Sequence, residues 1–598
     1  MIWEINLQPE ANSTLEEILG IQYKGNYASV FAQGQGSPVG EFSLLKISFL
    51  FIEASFIANN ERNGRGDSMK LFKGFGHQTE ENKPTEGERT NHTPIPLDEN
   101  LVSNMKKIRA AFAKSSDIVI REVVVGNKYK RRLVLIYTDG LVNTQVIDES
   151  ILEPLTVHME EKFDDIQTQS AEKVFQFLYT SVVASGGIKS VKDFSELFVE
   201  VLSGNTVILT EDYHKALSIS TPGWKDRGVG ETEVQNVIRG SREAFSETIR
   251  TNTALVRRRI KDENLCCEQQ ILGRKTKTTI VIMYIQGVVE EGVIQEVKER
   301  LGRIDIDGIL ESGYIEEMIQ DESLTPFPTV YNTERPDVVA ANLLEGRVAI
   351  LVDGTPFVLL VPAIFGQFFQ APEDYYQRPD IATLIRIIRY ASFFIALLGP
   401  SLYIAVTTFH QEMLPTQLLI SLAAQREGVP FPAFVEACVM EVTFEILREA
   451  GIRMPRPMGQ ATSIVGALVI GQSAVEAGFI SAAMVIVVSV TAISNFVFPA
   501  YDMAISVRML RFVMMMFAAS FGLFGITMAL LALVLHLCSL RSFGVPYMSA
   551  FAPFDRAGQK DMIMRAPLWS IRKRPSMLTK RNKIRNTTPK PEKPGPTD

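Results

Sequence analysis

Residues able to carry chemistry are scarce in this chain. Its four cysteines, the neighbours Cys266 and Cys267 plus the isolated Cys438 and Cys538, form no CxxC pair, and its six histidines show no spacing that completes a zinc site. A metal centre and a disulfide framework are both disfavoured. HExxH, GxSxG, a Walker A loop and a glycine fingerprint between strand and helix are absent, since Gly34, Gly36 and Gly40 lack that context. No polar catalytic cluster stands at the edge of an apolar segment, so no enzyme is expected and no cofactor is implied. A secretory signal is missing too: the apolar run 47–52 is too short to span a bilayer and lies between Lys46 and Glu53.

Charge is what the last third lacks. Residues 390–409, 457–475, 477–501 and 512–540 contain no Asp, Glu, Lys or Arg, and a bilayer core takes about 20 such residues per helix. These runs are expected to cross a membrane, and they set a minimum. The mean hydropathy of +0.09 conceals them because a charged front half dilutes the average.

At 598 residues the chain exceeds what one core organises. The expected division is a leader over 1–68, a flexible N-terminal segment over 69–98, α/β subdomains over 99–231 and 232–380, a transmembrane domain over 381–540 and a basic cytoplasmic tail over 541–598. Arg65-Gly66-Asp67-Ser68-Met69 is encodable as a purine run resembling a ribosome-binding site, which makes Met69 the expected initiator.

In the front half, a helical stretch over 99–114 precedes β-rich runs over 117–125 and 131–137, broken by Asp139-Gly140. A charged helix over 171–183 and strands over 206–210 and 216–220 complete an α/β pattern. The second unit opens with a helix carrying Phe245, Ile249, Val256 and Ile260. Arg257, Arg258 and Arg259 close it, suiting a helix C-terminus and a solvated face. Strands over 268–272 and 278–284 and a helix over 290–301 follow. Pro336 fits a first helical turn and Gly346 a helix end. Asp353-Gly354 marks a hairpin between 347–352 and 355–361, and the apolar run 357–369 is expected to approach the membrane surface.

The net charge is −7, yet the tail is basic, with Arg572, Lys573, Arg574, Lys580, Arg581, Lys583 and Arg585, and it should lie in the cytoplasm. A solvated end is the plainer alternative, since Pro589, Pro591, Pro594 and Pro596 oppose regular structure, and anionic lipid headgroups are a candidate contact.

Between the apolar runs, 431–450 reads as an amphipathic helix with Glu441, Glu445, Arg448 and Glu449 on one side and Glu436 set apart on the apolar side. Acidic residues beside a membrane select cations, so Glu436, Glu441 and Glu445 are candidates for a cation path, against paired or solvated charges on a surface helix. Gly459, Ser463, Ala467 and Gly471 place small side chains on one stripe where another helix approaches closely. Gln460, Gln472 and Glu476 line either a wet path or helix contacts. Arg448, Arg453 and Arg456 precede Pro457 and ask for cytoplasm there, which requires an extra crossing or a re-entrant segment after His410. Both ends are expected inside.

Several separated blocks resemble the A subunit of GerA-family spore germination receptors. They are Arg239-Gly240-Ser241-Arg242-Glu243-Ala244-Phe245 with Arg257-Arg258-Arg259, Thr325-Pro326-Phe327-Pro328, and Arg335-Pro336-Asp337-Val338-Val339-Ala340 through Gly346 to Asp353-Gly354-Thr355-Pro356. Pro430-Phe431-Pro432-Ala433-Phe434-Val435-Glu436, Arg453-Met454-Pro455-Arg456-Pro457-Met458-Gly459-Gln460 and Val465-Gly466-Ala467-Leu468-Val469-Ile470-Gly471-Gln472 complete the set. The likeness covers about 100–554, and nothing before Met69 shares it. What it implies is a receptor subunit of the spore inner membrane, assembled with a transporter-like B subunit and a lipoprotein C subunit, with nutrient bound by B. The A subunit would be the oligomeric element releasing ions, and nucleic acid is not an expected partner. A sporulation membrane protein that modulates other receptors or a solute channel, and a passive scaffold, are the alternatives.

Overall fold

The computed structural model describes residues 95–125, 130–158, 171–179, 187–223, 232, 235, 237–453 and 471–592. The leader, Met69, and Gly459, Ser463 and Ala467 of the small-residue stripe lie outside them.

In the first α/β unit, α1 (Leu101–Ala111) starts where the Asn100 side chain accepts from the Val102 and Ser103 N–H groups. Then come β1 (Ile118–Val125), β2 (Arg131–Thr138), α2 (Ala171–Phe177), β3 (Ile188–Val191), α3 (Phe194–Leu202), β4 (Asn205–Thr210) and β5 (Ala216–Ser220). The sheet has the order β1-β2-β4-β5-β3, antiparallel throughout. Strand alternation sets the layers: Leu133 and Leu135 pack with Ile151 and Phe175 on one face, Val134 and Ile136 with Ile108 and Leu197 on the other.

The second unit contains α4 (Ile249–Arg259), β6 (Leu265–Leu272), β7 (Thr278–Ile285), α5 (Glu291–Gly302), α6 (Ser312–Ile319), β8 (Tyr331–Thr333), α7 (Pro336–Glu345), β9 (Val348–Val352) and β10 (Val358–Val361). Its sheet runs β6-β7-β9-β10-β8, again antiparallel. Pro336 opens α7, and Gly346 ends it at φ 96°, as the sequence suggests. The run 357–369 differs from expectation. It supplies β10, paired on both edges, and a buried turn, Phe365–Phe369, whose rings meet Tyr390, Phe393, Phe498 and Tyr547. Protein covers it. Arg257 also departs from the solvated face: its side chain is 0% exposed and forks onto Asp117 at 2.7 and 2.8 Å.

The helical region comprises α8 (Pro379–Thr408), α9 (Thr416–Arg426), α10 (Ala433–Arg453), α11 (Ala482–Asn495) and α12 (Tyr501–Ser539). By length and composition, α8 and α12 are able to cross a membrane. Drawn straight, α12 with its 39 residues would extend about 58 Å. Instead it reverses at Gly522, whose φ of 61° and ψ of −141° are non-helical. Ser506 bonds the Pro326 carbonyl while His536, near the other end, lies 2.9 Å from Thr325 Oγ1. A Cβ at Gly525 would meet the Phe517 carbonyl at 2.2 Å, and one at Gly522 would meet Phe409 and His410, at the end of α8. α12 is thus a helical hairpin with both ends at the α/β units and its turn at the far end. α10 is antiparallel to the first arm, since Glu441 pairs with Arg511 and Glu445 with Arg508. It returns the chain after His410 and brings Arg448 and Arg453 toward the α/β side.

Past α12, β11 (Arg541–Ser542) pairs with β12 (Val545–Pro546), and α13 (Arg556–Met562) follows. The basic tail returns to the second unit. Arg574 donates to the Leu344 carbonyl, Arg585 to Glu345 at 3.1 Å, and Leu578 and Thr579 are buried. That stretch is therefore packed in part: α7 holds Arg574 and Arg585, while Arg572, Lys573, Lys580, Arg581 and Lys583 stay exposed.

Candidate functional site

α10 and α12 face each other through charges that an apolar bundle has no other means of solvating. The Glu441 and Arg511 side chains are 2% and 1% exposed and form an ion pair. Further toward the α/β units, Arg508 donates to Glu445 at 2.8 Å and Arg448 to the same carboxylate at 3.0 Å, with the Arg448 guanidinium 5.6 Å from the Phe496 ring. Glu436, nearer the far end, is fully buried. Its Oε1 accepts from the Ser481 N–H and hydroxyl, and Ser481 caps α11. All three predicted acids thus lie along one helix, Glu436 and Glu441 buried and Glu445 partly exposed, but Glu441 and Glu445 are matched by arginines. They form an ion-pair ladder and not a bare acidic ring.

The ladder is incompletely satisfied. Glu436 Oε2, Glu441 Oε1, Arg508 Nε and both Arg511 Nε and Nη2 are buried with no protein partner. Such atoms are costly in a low-dielectric setting. Of the small-residue stripe, Gly471 is described: a Cβ there would lie 3.9 Å from Val485 of α11. Gln472 donates to Glu476 within one exposed helical turn. Among the described residues no group of His, Cys, Asp and Glu has the arrangement of a metal site.

Two clasps join this bundle to the α/β units. At the start of α8, Arg386 and Arg389 hold Asp374 at 2.8 Å each, and Arg386 also reaches Asp561 of α13 at 3.0 Å. Burial pushes the Asp561 carboxyl up, and Arg386 opposes that shift. At the start of α12, Asn332 of β8 donates to Asp502 at 2.6 Å and lies 3.5 Å from Glu316 of α6. Burial raises the Glu316 carboxyl to about 7, and the nearby Asp502 charge adds to the effect. The second clasp ties β8 of the second sheet to α12, the helix that carries the arginines of the ladder.

Residues 106–577 match the family described as Bacillus/Clostridium GerA spore germination protein. The chain belongs to that family. It is 51% identical to "Spore germination protein KA" of Bacillus subtilis (strain 168) over 492 residues, 82% of this chain and 89% of that one. It is 44% identical to "Uncharacterized membrane protein YfkQ" of the same strain over 81% of this chain and 93% of the other. "Spore germination protein GerLA" of Bacillus cereus is 38% identical across 82% and 98% of the two chains. Among solved structures, the N-terminal domain of the A subunit of the Bacillus megaterium spore germinant receptor GerK3 is 38% identical, covering 46% of this chain and 98% of that domain at a TM-score of 0.37. Two α/β units followed by a helical region with apolar helices fit a membrane-associated member of this family.

Sequence reasoning missed the arginine halves of the ladder and of the α8 clasp. Arg508 and Arg511 border the uncharged run that begins at Phe512, and Arg386 and Arg389 border the run that begins at Tyr390. Used as boundaries, these charges were not weighed as contents of the same helices. Their i, i+3 spacing, which puts both guanidiniums on one helix face, was the available signal.

Proposed function

We propose that this chain is the A subunit of a nutrient germinant receptor in endospores and that its helical region is the oligomeric membrane channel element of the complex. Nutrient sensed by the complex releases ions through it and triggers germination. The reading places residues 381–540 in the spore inner membrane with both termini cytoplasmic, beside a transporter-like B subunit and a lipoprotein C subunit. The observation that carries it is the Glu441–Arg511 pair, a buried charge contact between α10 and the apolar helix α12, which is itself tied to the second α/β unit through Asp502. Charges of that kind inside a bundle accompany ion pathways and switching elements. A nutrient-bound partner biases the gate only by binding its closed and open states differently, and the clasps at Asp374 and Asp502 supply the route for that bias. Glu436, Glu441 and Glu445 then attract cations once the arginines withdraw. Packing along Gly459, Ser463, Ala467 and Gly471 lets the helices slide.

The arginine pairing also favours a second reading, a non-conducting scaffold in which the ladder only holds α10 to α12. Conductance of the complex reconstituted with its B and C partners, with and without candidate nutrients, separates the two. Nutrient-dependent cation flux altered by Glu441→Gln supports the channel, and an assembled complex without flux under any nutrient supports the scaffold.

A further inference from the structure

The two α/β units are copies of one design. Strand order and connectivity are the same in both sheets. Left-handed glycines fall at matching places, Gly140 and Gly287 after the second strand, Gly204 and Gly346 before the fourth. Asn104 of α1 and Asn252 of α4 make the same double hydrogen bond with the backbone six residues earlier, at Asp98 and Ser246. In this alignment Arg109 corresponds to Arg257, Tyr137 to Tyr284, and Ile118-Val119-Ile120 to Leu265-Cys266-Cys267.

Within the chain the units meet in a defined way. The loop after α1 adds to the open edge of β6: Ser116 N–H donates to the Cys267 carbonyl at 2.9 Å and Cys267 N–H to the Lys114 carbonyl at 3.0 Å. Arg257 reaches across to Asp117 and, at 3.1 Å, to Ser115 Oγ. Lys114 Nζ sits 5.9 Å from the Tyr284 ring. Leu265, Cys266 and Cys267 are buried beneath that loop.

Each half of this contact is present a second time at the ends of the pair. β1 is an edge strand whose partner among the described residues is β2, and Ile118, Val119 and Ile120 are half-exposed where their counterparts are covered. The Arg109 side chain, 61% exposed, and half-buried Tyr137 stand beside that edge. At the opposite end the loop after α4 holds Lys261, Asp262, Glu263 and Asn264, a shorter counterpart of the loop after α1, with Lys261 in the place of Lys114, Asn264 in the place of Asp117 and an acid, Asp262, two residues earlier, its carboxylate accepting from Asn264.

We infer that copies of this chain join head to tail by repeating the internal contact, the loop after α4 of one copy adding to the free edge of β1 in the next. Arg109 turns from Glu122 to Asp262 of the neighbouring copy, and Lys261 comes over its Tyr137. The contact is strand addition at an edge left unpaired among the described residues. It is heterologous, and a heterologous contact forms a ring where its rotation closes. This deepens the oligomeric part of the proposed function and needs no conduction, because it is read on the chain itself.

The test uses the full-length chain in membranes, with Cys438→Ser and Cys538→Ser as background. Ile120→Cys and Glu263→Cys placed together give, on oxidation, a ladder of covalent multimers, while either alone gives none. Arg109→Glu reduces the size of the assembly, and Asp262→Lys in the same chain restores it, which unfolding of the single variant would not allow. A covalent dimer from Ile120→Cys alone, which needs a symmetric contact, overturns the inference. So do a double-cysteine chain without a ladder and an assembly whose size Arg109→Glu leaves unchanged. A conducting complex that fails these tests sinks the contact and leaves the channel standing.

Discussion

Glu441→Gln is the substitution on which the functional reading turns. Among the described residues Glu441 is the hydrogen-bonding partner of Arg511, whose Nε and Nη2 are already without one, and both side chains are almost fully enclosed. Removing one member of a buried pair leaves an uncompensated charge and costs about 3–5 kcal/mol. Glutamine still accepts from Nη1, which puts the loss near the lower bound, about 3 kcal/mol, or roughly a hundredfold in the equilibrium that the pair biases. Thermal unfolding of the purified chain in detergent, at matched protein concentration, reads the loss. The double variant Glu441→Gln with Arg511→Met recovers most of it, because no orphaned charge remains, so the two substitutions are strongly non-additive. Flux then separates latch from vestibule. If the pair is a latch, Arg511→Met and Glu441→Gln both raise basal flux and the double variant falls back toward wild type. If Glu441 acts mainly to draw cations, Arg511→Met raises conductance and Glu441→Gln lowers it. A single variant within about 0.5 kcal/mol of wild type, or a double variant no better than the sum of its parts, would falsify the claim that this pair is structurally coupled.

Gly522→Ala forces a side chain into a conformation that glycine alone adopts readily, with a Cβ 2.8 Å from the His410 ring and 2.9 Å from Phe409. The hairpin should lose about 1–3 kcal/mol from backbone strain alone, seen as a lower unfolding temperature and poorer assembly, while Ala519→Gly one turn earlier has a smaller effect. Glu316 contributes to the pH dependence. Its carboxyl is raised from 4.5 to about 7 in the folded chain, so the folded form binds the proton more tightly and stability falls as pH rises through that window. Glu316→Gln should flatten this slope and raise the unfolding temperature at pH 8, and an unchanged slope would remove Glu316 as its source. Asp117→Asn strands Arg257, which is 0% exposed, and should cost about 3–5 kcal/mol. Protease sensitivity should then appear first between α1 and α4. Glu345→Gln removes the acid shared by Arg347 and Arg585 and should free the tail, raising tryptic cleavage after Arg574, and because it strands the buried Arg347 it should also lower the unfolding temperature.

Local pattern made the α/β units legible. Alternation in β2 and β7, the Asp353-Gly354 hairpin, and proline opening with glycine closing α7 are short-range requirements that a few adjacent residues express. Uncharged runs likewise announced the helical region, because hydrocarbon excludes charge whatever the neighbouring helices do. Arg257 shows where local pattern fails: an arginine at a helix C-terminus is equally at home in solvent, and only Asp117, far away in the chain, makes it a buried anchor. The same holds for Glu441 and Glu445, whose composition suggests a cation site and whose pairing with Arg511 and Arg508 neutralises it. The reversal at Gly522 was hidden in one apolar stretch, since hydropathy does not record direction. The kinship of the two units was equally hidden, being carried by strand order and by the glycine and asparagine positions through largely dissimilar sequence. The sequence by itself determined which segments are sheet, helix and apolar, because those follow from propensity and solvation at short range. Tertiary structure decided which charges meet, where α12 turns and which edges stay open, because each depends on residues brought together only when the chain has folded.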